Sequence, residues 1–306
     1  MNVAIFGATG FVGKYLLEEL KKHDYNAQML IRKGSENKID ISSNHKIILG
    51  DISNKDAIKQ TLKDADAIIY TIGIIREFKR KNITFDYLHH QGIKNVIEEA
   101  EKLKIKRFVL MSANGVKKEG AKYQTSKYLG EMALINSNLN WTIFRPSLIF
   151  GDSDGRDEFC AQLKKDMLSL PFPAPLFHKG LLPFNAGQFK MSPIHVKNVA
   201  SFFVKSIKMD NTFNNTYELG GPNDYTWKEI IKIISNAYGK NKWTIPAPVI
   251  PIKILAYLFD SFKWFPITNG QLTMLLEGNT CNSEKIFEEF DIQPIKFDKE
   301  SLSYLN

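Results

Sequence analysis

The sequence predicts an α/β fold, a Rossmann-type doubly wound parallel sheet with a smaller C-terminal lobe. Three observations carry that prediction. Short apolar runs alternate with helical patterns six times within residues 1–150. Gly7, Gly10 and Gly13 fall between the first apolar run and the first helical pattern. After residue 150 the alternation stops, and residues 170–188 hold four prolines with little periodicity.

Taken in order, Val3–Phe6 is apolar throughout, as a strand buried on both faces requires. Tyr15–Leu20 then reads as an amphipathic helix. Ala27–Ile31 and Lys46–Leu49 are strands two and three, followed by a helix over Asp56–Lys63. Ala67–Tyr70 is strand four and Leu88–Leu103 a helix. Arg107–Met111 is strand five, Tyr123–Asn136 a helix and Trp141–Phe144 strand six. Residues 1–150 form the predicted core, and 151–306 a smaller lobe interleaved with it. Within that lobe, residues 170–188 read as a surface lobe or lid rather than a core strand. Residues 226–238 and 252–265 read as helices.

Strand, glycine turn and helix N-terminus together make a site for a dinucleotide. Free backbone N–H groups and the positive end of the helix dipole suit a pyrophosphate. Gly7 permits the tight turn, Gly10 lets backbone approach phosphate, and Gly13 lets helix pack on strand. Gly7, Thr9, Gly10, Phe11, Val12 and Gly13 are therefore cofactor-binding candidates. Strand two ends in Ile31-Arg32-Lys33, where an acidic residue would select NAD(H). Arg32 can instead pair with a 2′-phosphate, so NADP(H) is preferred and NAD(H) is the alternative, with Lys33 adding charge. Asp51, beside Ile52, reads equally as an acceptor for the adenine amino group or as a helix cap. Thr71, Ile72 and Gly73 close strand four along the middle of the cofactor.

Ser112 follows strand five, and Tyr123 and Lys127 share one helical face four residues apart. An ammonium there would stabilise phenolate and lower the tyrosine pKa, making Tyr123 an acid–base catalyst. Ser112 would hold the substrate oxygen.

With the glycine loop, Ser112, Tyr123–Lys127 and Arg145–Gly151, the chain resembles the extended or atypical short-chain dehydrogenase/reductase superfamily. The resemblance implies that Ser112 and Tyr123 activate the substrate oxygen and that Lys127 holds the nicotinamide ribose. It places Pro146, Ser147 and Leu148 beside the nicotinamide. Thr71–Ile75, Thr84–His89, Tyr217–Pro222 and Leu275–Asn279 resemble one branch more closely. That branch is the NAD(P)-binding accessory subunit of respiratory complex I and its free-standing bacterial relatives. The chain departs from the superfamily at His89, where many members carry a catalytic Asn, and at Asn198, where Asp is frequent. His89, His90 and His195 are read as satisfied or solvated histidines rather than a proton relay.

Composition excludes other classes. With 41 basic and 33 acidic residues the net charge is +8, but the lysines are scattered and no nucleic-acid-binding motif is present. Cys160 and Cys281 lie far apart without metal-ligand spacing, as expected of core cysteines in a reducing cytoplasm. Strand one begins at once, so no targeting peptide is expected, and no apolar run is long enough to span a membrane. Leu255, Leu258, Phe259 and Phe262, with Lys253 and Lys263 nearby, form a helical face. Core packing is one reading of it, and a substrate mouth or weak contact with an anionic membrane is the other. The expected function is an NADP(H)-dependent oxidoreductase acting on a small or lipophilic carbonyl or quinone-like substrate. The alternatives are a non-catalytic NAD(P)H-binding subunit or assembly protein of a respiratory membrane complex, and a sugar-nucleotide epimerase.

Overall fold

The computed structural model describes residues 1–39, 45–180, 182–259 and 267–306. The strands β1 (Asn2–Phe6), β2 (Asn26–Ile31), β3 (Lys46–Leu49), β4 (Ala67–Tyr70), β5 (Arg107–Met111) and β6 (Asn140–Pro146) pair in parallel. They lie in the order β3-β2-β1-β4-β5-β6, and a seventh strand, Asn215–Leu219, borders β6. The order reverses between β1 and β4. The crevice at the carboxyl ends of these two strands is where a sheet of this type takes a ligand. The helices α1 (Phe11–Lys22), α2 (Lys55–Leu62), α3 (Gly92–Lys102) and α4 (Lys122–Ile135) fall between strands as the periodicity predicts.

The chain divides into two compact units. The first comprises Met1–Pro146, Val196–Glu218 and Ile286–Ile292, and the second Ser147–His195, Leu219–Lys285 and Gln293–Asn306. In the first, α2 and α3 cover a core containing Phe6, Tyr70 and Phe108. The helix Val196–Ser206 packs beside α1, and Phe144 meets Phe202, Phe203 and Phe290 with ring centroids 4.9–6.2 Å apart.

Arg107 opens β5 and is buried in this unit, where its guanidinium has five oxygen acceptors. These are the carbonyls of Asn140, Ser206 and Ile207 and the hydroxyls of Thr142 and Thr212, at 2.7–3.3 Å. Burial pushes its pKa down to about 10, against attraction from Asp210.

In the second unit the helix Trp227–Ala237 starts at a reciprocal Thr226–Glu229 capping box. Trp227 stacks on Phe177 and Phe189, and its indole N–H donates to the Pro175 carbonyl at 2.9 Å. This corrects the reading of residues 170–188 as a lobe or lid without a core strand. Ala174–His178 is a strand paired in parallel with Thr244–Pro248, and Ala174, Leu176 and Phe177 are buried. The pair is an isolated two-stranded sheet, so prolines in both strands need not interrupt a ladder on their outer edges. The expected 252–265 helix runs from Val249 to Phe259, and Phe262, Lys263 and Phe265 lie outside the described residues.

Candidate functional site

The phosphate loop follows from local sterics. Gly7 has φ +115°, and a Cβ there would come within 2.5 Å of Thr71 Oγ1. A Cβ on Gly13 would overlap the Gly7 and Ala8 carbonyl oxygens, so helix and loop close on each other only without a side chain. Gly10 differs, because a Cβ there would meet only the Gly7 oxygen at 3.3 Å. Its open side is the approach to the loop. No side chain caps α1, so the helix offers its first-turn N–H groups and dipole there. The loop residues therefore fit a bound pyrophosphate.

Arg32 and Asp51, at the ends of β2 and β3, line one cleft of about 380 Å³. Lys81, Asn82 and Tyr87 come to the same cleft from the segment after β4. Sequence reasoning passed over these three. Asp51 accepts from the Tyr87 hydroxyl and from Ser53 N and Oγ at 3.0 and 3.1 Å. Burial raises the pKa of its carboxyl, but these bonds and the Arg32 charge outweigh burial and hold it below the usual range. Asp51 is thus an ionised acceptor fixed inside the cleft, whereas Lys33 is exposed and does not line it.

The expected helix from Leu88 begins as a wider turn, Tyr87–Gln91, of π type. Tyr70 donates to the Leu88 carbonyl at 2.6 Å inside this turn. A Cβ on Gly130 would overlap the His89 carbonyl, which is how α4 comes close to it. His89 is fully buried, and its Nε2 accepts from the Ile74 N–H at 3.1 Å. Its Nδ1 therefore carries the proton and donates to Ser126 Oγ at 2.9 Å, and Ser126 donates to the Tyr123 carbonyl at 2.8 Å. Burial, then the nearby Lys127 charge, pushes the imidazole pKa down to about 2. His89 is a neutral tie between the segment after β4 and α4, as read from the sequence.

Tyr123 packs edge-on against His89 and Phe85, with centroids 5.3 and 5.7 Å apart. Lys127 is buried, and its Nζ donates to the Met111 carbonyl at 2.9 Å. A Cβ on Gly73 would lie 3.4 Å from that Nζ, so the ammonium sits where β4 and β5 end. Ser112 is buried beside Met111, and its Oγ has no hydrogen-bond partner. An unsatisfied buried hydroxyl costs about 1–3 kcal/mol, and a substrate oxygen would satisfy it.

The expected lowering of the tyrosine pKa is absent. Burial pushes Tyr123 up to about 12, and Lys127 makes its hydrogen bond to the main chain instead. Burial also pushes Lys127 down to about 8, against the attraction of Glu131 one turn on. Glu131 is itself held by Arg145 through two bonds of 2.9 and 2.6 Å.

The depressed Lys127 pKa fixes the sign of a stability effect. Holding the buried ammonium costs the folded state about 3 kcal/mol, in full below about pH 8 and fading as pH rises to 10.5. Losing the Met111 bond would return about 1–1.5 kcal/mol of that. Lys127→Met is therefore expected to stabilise the cofactor-free protein by about 1–2 kcal/mol at pH 7, and less at pH 10. Urea denaturation at the two values measures it. A net loss at pH 7 would show that the carbonyl bond and Glu131 outweigh desolvation.

Pro146 ends β6, and its carbonyl accepts from Asn114 N at 2.9 Å. Ser147 and Leu148 open the second unit, where Ser147 Oγ donates to the Asn279 carbonyl at 2.7 Å and Leu148 O accepts from Ile194 N. The Ser147 hydroxyl is thus committed within its own unit.

Residues 7–167, more than half of the chain, match the family described as NAD(P)H-binding. The chain belongs to this NAD(P)H-binding family. It is similar to the mitochondrial 40 kDa subunit of NADH-ubiquinone oxidoreductase from Neurospora crassa, at 25% identity over 99% of this chain and 78% of the relative. It is also similar to ceramide reductase of Caulobacter vibrioides, at 25% identity over 87% and 79%. Among solved structures, Thermus thermophilus UDP-glucose 4-epimerase in complex with NAD aligns with a TM-score of 0.74 at 15% identity, covering 100% of this chain and 97% of that one. The relatives this chain resembles thus include a respiratory subunit as well as a reductase. No helix among the described residues is long and apolar enough to cross a membrane.

Proposed function

We propose that this protein is an NADP(H)-dependent oxidoreductase reducing a small or lipophilic carbonyl or quinone-like substrate. The observation that carries the reading is the unpartnered, buried Ser112 Oγ next in sequence to Met111, whose carbonyl holds the buried Lys127 ammonium, with Tyr123 one turn before Lys127 on α4. The glycine loop would hold the pyrophosphate, Arg32 the 2′-phosphate and Lys127 the nicotinamide ribose. Bound NADPH would supply a hydride to the substrate carbon. Ser112 would donate to the substrate oxygen and orient it. Tyr123, protonated at neutral pH because burial disfavours its phenolate, would give its Oη proton to that oxygen. Lys127 would offset the charge left on the phenolate until solvent reprotonates it.

Screening the purified protein for NADPH and NADH consumption with carbonyls and quinones tests the reaction. Consumption with none of them sinks the catalytic reading. For the cofactor, Arg32→Ala is expected to weaken NADP(H) by about 10–100-fold, the loss of one charge-assisted contact, and to spare NAD(H). Titration of both cofactors into the variant measures this, and equal losses would make Arg32 a structural residue.

A second reading is favoured by the likeness to the respiratory 40 kDa subunit. The chain would hold NAD(P)H tightly without turnover and dock on a respiratory complex. Co-purified cofactor, no activity and recovery of a respiratory partner by pull-down would favour it. The epimerase reading has fold likeness alone, and Arg156, the only arginine after Arg145, is paired with Asp154 at 3.1 Å.

A further inference from the structure

We propose that the second unit docks on the surface of an anionic lipid bilayer through its exposed apolar face. Fifteen large apolar side chains are exposed among the described residues, and eleven of them fall between Leu170 and Leu258. Ile250, Ile254, Tyr257 and Leu258 stand at i, i+4, i+7 and i+8 on the helix Val249–Phe259, and each is 56–74% exposed. Those positions share one face. A helix bordering water turns polar residues outward, whereas here the apolar stripe faces out and Val249 and Ala256 are buried.

The strand Thr244–Pro248 leads directly into the helix, and Phe172 and Trp243, at the opposite end of that strand pair, are also exposed, at 69% and 67%. The sequence from Met167 to Gln188 and from Ile230 to Phe259 contains no Asp or Glu and five lysines. Lys179 and Lys240 are exposed there, and Lys253 lies within the helix. Lysine is the only charged residue in these two stretches, and its pairing with exposed isoleucine, leucine, tyrosine and tryptophan suits an anionic headgroup layer over acyl chain. Exposed apolar area of this extent marks an interaction surface.

Co-sedimentation of the full chain with phosphatidylglycerol-containing vesicles, beside pure phosphatidylcholine vesicles, tests this. The protein should pellet with the anionic vesicles at low salt and bind phosphatidylcholine at least ten-fold more weakly. High salt should reduce the binding. Ile254→Asp with Leu258→Asp should lower it at least ten-fold while the thermal midpoint is unchanged, because both side chains face outward. Lys240→Glu with Lys253→Glu should remove the preference for anionic lipid. Independently of any variant, tryptophan emission of the unmutated chain should shift to the blue on mixing with anionic vesicles, as Trp243 leaves water. Absence of pelleting at low salt, or pelleting undiminished by the Asp pair, overturns the proposal. So does a wild-type dimer in size-exclusion light scattering that the Asp pair converts to monomer without any vesicle binding, because a second copy would then be the occupant.

Discussion

Tyr123→Phe is expected to lower NADPH-dependent turnover by about 10²–10⁴-fold, the range for removing a positioned proton donor. Cofactor affinity should stay as it was. Phenylalanine keeps the edge-on packing against His89 and Phe85, so the variant removes the hydroxyl and little else. Rate should also fall as pH rises through about 8, where Lys127 loses the charge that would balance a forming phenolate. His89 adds no limb to that profile near neutrality, because its imidazole is already neutral. Steady-state kinetics from pH 6 to 9 with both proteins would show these effects. Turnover unchanged by the substitution would remove Tyr123 from the chemistry.

Arg107→Leu should cost about 3–5 kcal/mol of folding stability, the range for breaking a buried, fully hydrogen-bonded charge. Leucine fills part of the space over Phe213, whose ring centroid lies 4.5 Å from the guanidinium. It removes a donor from the carbonyls of Asn140, Ser206 and Ile207, of which Ser206 O keeps Met209 N at 3.2 Å, and a lost bond to a buried acceptor is expensive. Arg107→Lys should lose less, since an ammonium keeps up to three donors. Urea unfolding of the three proteins measures the series. A loss below about 1 kcal/mol for leucine would mean that water replaces the guanidinium.

Much of the first unit was legible because its strands are short apolar runs between turn residues, and because three glycines at one spacing have a steric cause. Those runs fixed β1 to β6 to within a residue or two at each end. The seventh strand, Asn215–Leu219, stayed hidden because it is polar and only Leu219 is buried. Ala174–His178 stayed hidden because proline argues against a ladder, and only its pairing with a second proline-bearing strand resolves the conflict. In the site, Ser112, Tyr123 and Lys127 were visible from their positions after β5. The depressed pKa expected of Tyr123 was not realised, since spacing places Lys127 on the same helical face but does not say that its proton goes to Met111. Tyr87 reaches Asp51 across 36 residues, and nothing local in the sequence marks that bond. Arg107 likewise reads as the polar first residue of a strand until its acceptors are assembled.

Those acceptors set a timetable for biosynthesis. Two of the five, Asn140 O and Thr142 Oγ1, are on β6, but the other three belong to Ser206, Ile207 and Thr212. Phe144 likewise waits for Phe202 and Phe203, and then for Phe290. A nascent chain that has emerged through residue 150 holds six strands yet carries a guanidinium with only two of its five acceptors and an open aromatic pocket. The sheet can assemble on the ribosome, but its native free-energy minimum is reached only when the last segment, Ile286–Ile292, leaves the exit tunnel. Quality control in the cell therefore meets an incomplete nucleotide-binding unit until Ile292 has been made.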